Sequence, residues 1–250
     1  MSFHKKSQAN RAVRAVQRTH KINRLVKKLL GTFNRVFKVL IVTMDISALY
    51  NKHERFVYED GDYVRNAALE LAAREIAQLN IDGAVAELGV YRGDFAKLIN
   101  AAFPERKLYL FDTFDGFDER QAEHEAAVNL SSGAEDFSDT GVEIVLRKMK
   151  SKANCVVRKG LFPQSAEGVD ELFVFVSIDC DFYQPIYDGL CFFYPRLADG
   201  GTIFVHDYNS AAYLGAKQAV RQFARETGIA YFPLPDMNGS VVIIKGKRPT

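Results

Sequence analysis

The chain has 250 residues and a formal net charge of +2, a length that fits one α/β domain with an extension and can bury a full core. The charge is unevenly placed: residues 1–40 hold eleven Lys or Arg and no acid, which leaves 22 basic against 31 acidic residues in the remainder. Such an acidic body excludes a nucleic-acid-binding domain, whose basic face belongs to the folded core, and no run approaches the roughly 18 apolar residues of a membrane span.

Cys155, Cys180 and Cys191 have the spacing of neither a zinc site nor a disulfide framework. No apolar signal core with a small-residue cleavage site lies near Met1. A cytoplasmic protein is therefore expected.

From Lys21 to Ile41 the apolar residues Ile22, Leu25, Val26, Leu29, Leu30, Phe33, Val36, Phe37 and Leu40 repeat at helical spacing, with Lys and Arg mostly opposite. Gly31 interrupts the stripe. A basic amphipathic helix has three uses: packing on the body or on a twin subunit of a homo-oligomer, peripheral contact with an anionic membrane through residues 20–41, or serving as an organellar presequence. Residues 1–48 are read as this extension and 49–250 as the folded domain. Residues 45–62 are polar and irregular.

Asp62 is placed to cap a helix from Tyr63 to Leu79, with Val64, Ala67, Ala68, Leu71, Ala72 and Ile76 as its apolar residues. Strand 85–89, helix 94–103 and strand 107–112 follow. Residues 113–141, rich in acid, Ser and Gly, are too long a connection to be idle and read as a lid or substrate-binding segment with short helical pieces. Helix 141–150 leads to strand 154–158. The nearly all-apolar strand from Leu172 to Ile178 suits a central parallel strand. Helix 184–197 stops at Asp199-Gly200-Gly201, and strand Thr202 to Val205 precedes helix 213–227. Strands near 229–233 and 240–244 read as a hairpin. The alternation predicts an α/β, Rossmann-like doubly wound, mostly parallel sheet with an antiparallel C-terminal edge.

Ligands of such sheets bind beyond the carboxyl ends of the strands. Five successive strands here end in Glu87-Leu88-Gly89, Asp112-Thr113, Gly160, Asp179-Cys180-Asp181 and His206-Asp207. The glycines Gly89 and Gly93 stand as G-x-x-x-G, so the dinucleotide fingerprint is absent, and no Lys-Ser or Lys-Thr follows as in a P-loop. Glu87 and Asp112 beside this loop suit a nucleoside-bearing cofactor without pyrophosphate, for which S-adenosylmethionine is the leading candidate, with Asp112 on the ribose. Phe114 is the aromatic best placed as a cofactor wall. Asp179, Asp181 and Asp207 offer hard oxygen ligands to Mg²⁺ or a similar divalent ion, and a remaining carboxylate is free to act as base. His206 is open between ligand, base and simple hydrogen-bonding partner.

At these residues the chain resembles the macrocin O-methyltransferase (TylF-like) family of S-adenosylmethionine-dependent sugar methyltransferases. The segments that carry the resemblance are Ala86-Glu87-Leu88-Gly89-Val90-Tyr91-Arg92-Gly93, Leu110 to Phe117, Phe137-Ser138-Asp139-Thr140, Lys159-Gly160-Leu161-Phe162-Pro163, Asp179-Cys180-Asp181-Phe182-Tyr183, and Gly200-Gly201 through His206-Asp207-Tyr208. They keep the family's order over roughly 80–225. The resemblance implies a Rossmann-like methyltransferase acting, with Mg²⁺, on a hydroxyl of a glycosylated small molecule or glycan. By position it implies Asp179, Asp207 and the residue at 206 as metal ligands and Asp181 as general base. Cofactor contacts are implied for Glu87, Leu88, Gly89, Val90, Tyr91, Gly93, Asp112, Thr113, Phe114, Ser138, Asp139, Asp179 and Cys180, with Gly160, Leu161 and Phe162 lining the adenine. One departure is His206, where family members often carry an acid. Two alternatives stand beside this reading: methylation of a catechol-like or other phenolic hydroxyl by the same site, and a non-enzymatic membrane-surface scaffold working through the basic helix.

Overall fold

The computed structural model describes residues 62–246. The amphipathic stripe at 21–41 and the polar segment before Asp62 lie outside the described residues.

Asp62 caps helix α1, Tyr63–Gln78, as its place in the sequence predicts: Oδ1 accepts from the amides of Val64 (3.1 Å) and Arg65 (3.2 Å). The elements that follow are β1 (Ala84–Leu88), α2 (Ala96–Ala102), β2 (Leu108–Asp112), α3 (Glu119–Ala127), α4 (Val142–Lys148), β3 (Cys155–Lys159), β4 (Phe173–Ile178), α5 (Tyr183–Phe193), β5 (Leu197–Val205), α6 (Leu214–Thr227), β6 (Phe232–Pro233) and β7 (Val241–Ile244). The strands form one sheet in the order β3-β2-β1-β4-β5-β7-β6. The first five are parallel; β7 runs antiparallel to β5, and β6 antiparallel to β7.

Alternate strand residues feed opposite cores. Ala84, Ala86 and Leu88 pack with Ile186, Leu190 and Phe193 of α5 and with Ala216, Ala219 and Val220 of α6. Val85, Leu108 and Leu110 pack on the other face with Leu69, Ala73 and Ile76 of α1, Ile99 of α2 and Val145 of α4. Every residue of β4 is buried, as a strand covered on both faces requires. This is the doubly wound sheet with an antiparallel edge that the pattern of elements predicts. The strand order reverses between β1 and β4, which makes their carboxyl ends the topological switch point.

Two expectations are corrected. The buried face of α1 runs through Arg65, Asn66, Leu69, Glu70, Ala73 and Ile76, while Leu71 is exposed. Arg65 heads the core stripe because its partners, Ser177 and Asp179, lie in the domain interior. Helix α5 ends at Phe193, and Asp199-Gly200-Gly201 belongs to β5 instead of terminating a helix. A register irregularity against β4 and backbone pairing of Gly200 and Gly201 with Lys245 absorb the glycines into the strand.

Candidate active site

Sheet hydrogen bonding continues past the strand ends and sets the acidic residues side by side. The amide of Gly89 donates to Phe111 O (2.9 Å), Asp179 N to Leu88 O (2.7 Å), His206 N to Ile178 O (2.9 Å) and Gly160 N to Asp112 O (2.9 Å). Gly89 has φ +83°, and a Cβ there would lie 2.0 Å from Asp179 O, so only glycine lets β1 and β4 approach this closely.

These ends frame a cavity of about 390 Å³, within the usual range for small-molecule sites. Glu87, Leu88, Gly89, Val90, Tyr91, Asp112, Thr113, Gly160, Leu161, Phe162, Asp179, Cys180, Asp181, His206 and Asp207 all line it. Gly93, Phe114, Ser138 and Asp139 do not. A Cβ on Gly93 would come 3.0 Å from Val145 Cγ1, so this glycine serves helix packing. Phe114 is buried in the core on the α1 side of the sheet. Ser138 donates its amide to Asp136 Oδ1 (2.8 Å). Asp139 stands outside the cavity, paired with Arg92 Nη1 (3.0 Å) and accepting from the Tyr91 hydroxyl.

Asp112 shapes the glycine loop. Its Oδ2 accepts from the amides of Val90 (2.6 Å) and Tyr91 (2.9 Å), and its Oδ1 from the amide of Phe114 (2.6 Å). The Thr113 hydroxyl points its single proton at Gly116 O (2.6 Å) and only grazes Asp112 Oδ1 at 3.3 Å. Oδ1 therefore keeps one lone pair for an incoming hydroxyl. Glu87, 1% exposed, has an Oε2 with no hydrogen-bond partner. Burial pushes its carboxyl well above the usual carboxylate range despite the opposing field of Arg65. A cationic ligand in the cavity would satisfy this group.

Beyond β4 and β5 lies a second cluster. One ligand atom from each of Asp179, His206 and Asp207 lies within 4.8 Å of the others. His206 Nδ1 is 2.9 Å from Asp179 Oδ1 and 2.6 Å from Asp207 Oδ2, while Asp179 Oδ2 meets Arg65 Nη2 at 2.9 Å. Burial alone would raise the Asp179 carboxyl, but Arg65 and then His206 hold it well below the usual range. Burial would likewise lower His206, but the same carboxylates hold it at about 10. Asp181 behaves oppositely: burial, and then the charges of Asp179 and Asp207, push its carboxyl well above the usual range. Asp207 Oδ1 is buried and receives no hydrogen bond. An orphaned carboxylate oxygen beside a second carboxylate and an imidazole is a donor set that fits a divalent cation. Tyr91, Asp181 and Asp207 all adopt positive φ (48°, 63° and 58°), backbone strain of the kind that collects at functional sites.

Segment 113–141 contributes Gly116, Phe117, Gln121 and Phe137 to the cavity lining and is tied to it by aromatic contacts. Tyr91 meets Phe137 at 5.0 Å, Phe137 meets Phe117 at 4.9 Å, and Phe117 lies 4.2 Å from Phe182. The Tyr213 hydroxyl donates to Glu135, and the Thr140 hydroxyl to Tyr91 O. Arg65, Tyr213 and Asn238 are lining residues to which the sequence assigns no role, and Gln121 is foreseen only as part of segment 113–141. Arg65 alone leaves a signal, an arginine four residues before Leu69 on what becomes the buried face of α1.

The pattern of the macrocin-O-methyltransferase (TylF) family matches residues 61–245. Among curated proteins no sequence match is found. The fold is shared with the O-methyltransferase NovP, at 17% identity over 73% of this chain and 80% of that one (TM-score 0.60). It is shared with CalS11, a calicheamicin methyltransferase, at 17% identity over 91% and 93% (TM-score 0.60). The Podospora anserina methyltransferase PaMTH1, whose structure is SAH-bound, superposes at 10% identity over 84% and 100% (TM-score 0.51).

Proposed function

The chain belongs to the macrocin-O-methyltransferase (TylF) family and is an S-adenosylmethionine-dependent O-methyltransferase, and from this premise we propose that it methylates a sugar hydroxyl with the help of a divalent cation. The observation that carries the proposal is the pairing of two groups of residues in one cavity. Glu87, Asp112 and the glycine loop line one part of it, and Asp179, Asp181, His206 and Asp207 another. Residues 49–250 form the catalytic domain in this proposal and residues 1–48 its extension. Membership of an enzyme family weighs against the scaffold alternative. Among the described residues no helix is long and apolar enough to cross a membrane.

When bound, S-adenosylmethionine would supply a methyl group on a sulfonium, and Asp179, His206 and Asp207 would hold a cation whose positive charge would favour the ionised acceptor hydroxyl. The chain's residues do the rest. Asp112 fixes the loop amides and offers Oδ1 to the ribose. Glu87 meets the positive charge of the methyl donor. Asp181, whose carboxyl is raised by burial and by the charges of Asp179 and Asp207, would ionise once a cation offsets those charges and would then take the acceptor proton as the oxygen forms its bond to the methyl carbon and the carbon–sulfur bond breaks. The aromatic cover excludes water from the reacting groups. In-line displacement depends on holding oxygen, carbon and sulfur in line, so positioning supplies much of the rate.

Methyl transfer measured by mass spectrometry against a panel of pyranosides and catechols tests this reading. Wild type is expected to methylate a pyranoside, and Asp181→Asn to lose about 10²–10⁴ in kcat while still binding S-adenosylmethionine. Methylation confined to catechols would overturn the sugar assignment.

A further inference from the structure

The cavity lining carries two carboxamide side chains that the chemistry above does not use. Gln121 comes from the first turn of α3 and Asn238 from the turn between β6 and β7, and both line the cavity. Their carboxamides make no hydrogen bond to any other described residue. Both backbones are nevertheless fixed. The Gln121 amide donates to Asp118 Oδ1 (3.2 Å), the cap of α3. Asn238 O accepts from Asn209 N (3.2 Å), and the neighbouring Met237 N donates to Asp62 Oδ2 (2.6 Å). Asn209 lies two residues beyond Asp207, in a loop closed by Ser210 N on Asp207 O (3.0 Å). The turn that carries Asn238 is thus tied to the loop that carries Asp207.

The same cavity is lined by aromatic rings. Phe182 directly follows Asp181, packs 4.2 Å from Phe117 and lies 6.5 Å from Tyr213, and all three line the cavity. A carboxamide offers two donors and an acceptor with two lone pairs, which matches a hydroxyl that both gives and accepts. Ring faces complement the C–H face of a pyranose. No lysine is among the lining residues, and the one arginine there, Arg65, is engaged by Asp179.

We propose that Gln121 and Asn238 determine acceptor specificity by hydrogen-bonding hydroxyls of a neutral pyranose that flank the methylated one, with the ring resting on Phe117, Phe182 and Tyr213. This rests on the sugar reading given above. Initial rates with methyl pyranosides and their monodeoxy analogues, at saturating S-adenosylmethionine, test it. Gln121→Ala and Asn238→Ala are each expected to raise acceptor KM about fivefold, the scale of one neutral hydrogen bond. An analogue lacking the hydroxyl that is read should lose a similar factor with wild type and nothing more with the matching variant. The calorimetric Kd for S-adenosylmethionine should stay within twofold, which also shows that the variants fold. Asn238→Ser, which keeps a hydroxyl, should recover part of the loss. Unchanged KM for both alanine variants on every pyranoside methylated would overturn the subsite assignment and leave the sugar reading intact. Failure of the wild type to methylate any pyranoside would remove the sugar reading and this inference together.

Discussion

Asp112 and Glu87 do different work within one end of the cavity. Asp112 spends three of its four lone pairs on backbone amides of Val90, Tyr91 and Phe114, so its first effect is on the shape of the loop, and in the proposed role it would act on the cofactor mainly through that shape. Asp112→Ala should weaken S-adenosylmethionine binding at least tenfold by calorimetry; a change under twofold would show that the loop holds its shape unaided. Glu87 is buried with its carboxyl raised, and the linkage sign follows. The unfolded chain ionises this group above about pH 4.3, whereas the folded chain without ligand keeps it protonated to higher pH. The associated stability is fully present below the unfolded value and is lost as pH rises toward the folded one. Glu87→Gln, which cannot ionise, should therefore match wild type in Tm near pH 4 and exceed it increasingly toward pH 8. A gap independent of pH would mean that Glu87 is already charged in the empty cavity. The imidazole at 206 also bears on which cation the proposed site would prefer. Nitrogen in place of a carboxylate favours first-row ions over Mg²⁺, so Mn²⁺ is the expected stronger activator.

At the scale of elements, the segment over the cavity is held to α5 as well as to the glycine loop. Helix α5 has no side-chain cap of its own, and Glu125 of α3 fills that role by accepting from Tyr183 N through Oε1 (2.8 Å). Burial raises the Glu125 carboxyl, and its Oε2 is unpartnered. Glu125→Ala should cost about 1 kcal/mol, the usual value of a lost cap, or roughly 2–4 °C in Tm for a domain of this size. Glu125→Gln keeps the acceptor without the charge and should equal wild type near neutral pH; equal losses for both variants would show that packing, not capping, is at stake. Much of this level is legible in the sequence, because Asp62, the acids at strand ends and the apolar run of β4 act locally. The aromatic cover was legible only as a segment too long to be idle. Its contacts join residues dozens of positions apart, such as Tyr91 with Phe137 and Glu125 with Tyr183, and no local pattern encodes them. The buried face of α1 was misread for the same reason: Arg65 enters the core to meet Asp179 and Ser177 from a distant strand.

In the molecule as a whole, parallel strand order brings residues 87, 112, 160, 179 and 206 to one edge of the sheet, and the reversal between β1 and β4 opens the space that they line. The order of acids and glycines along the chain announced this convergence, since each ended a strand of the same direction. It could not announce Asn238, which arrives on the antiparallel hairpin and is placed by Asp62 and Asn209. Asp62 links the two ends of the fold: one oxygen caps the helix that carries Arg65, and the other pins the turn that carries Asn238. If Asp179, His206 and Asp207 hold a cation that serves methyl transfer to a sugar hydroxyl, turnover must depend on that cation. The decisive measurement is product formation from a pyranoside by chelator-treated enzyme, before and after adding Mn²⁺ or Mg²⁺, beside Asp179→Asn. Activity should be lost on chelation, restored by either ion and by Mn²⁺ at the lower concentration, and absent in Asp179→Asn with either. Full activity in chelator, or in Asp179→Asn, would rule out a catalytic cation at these residues.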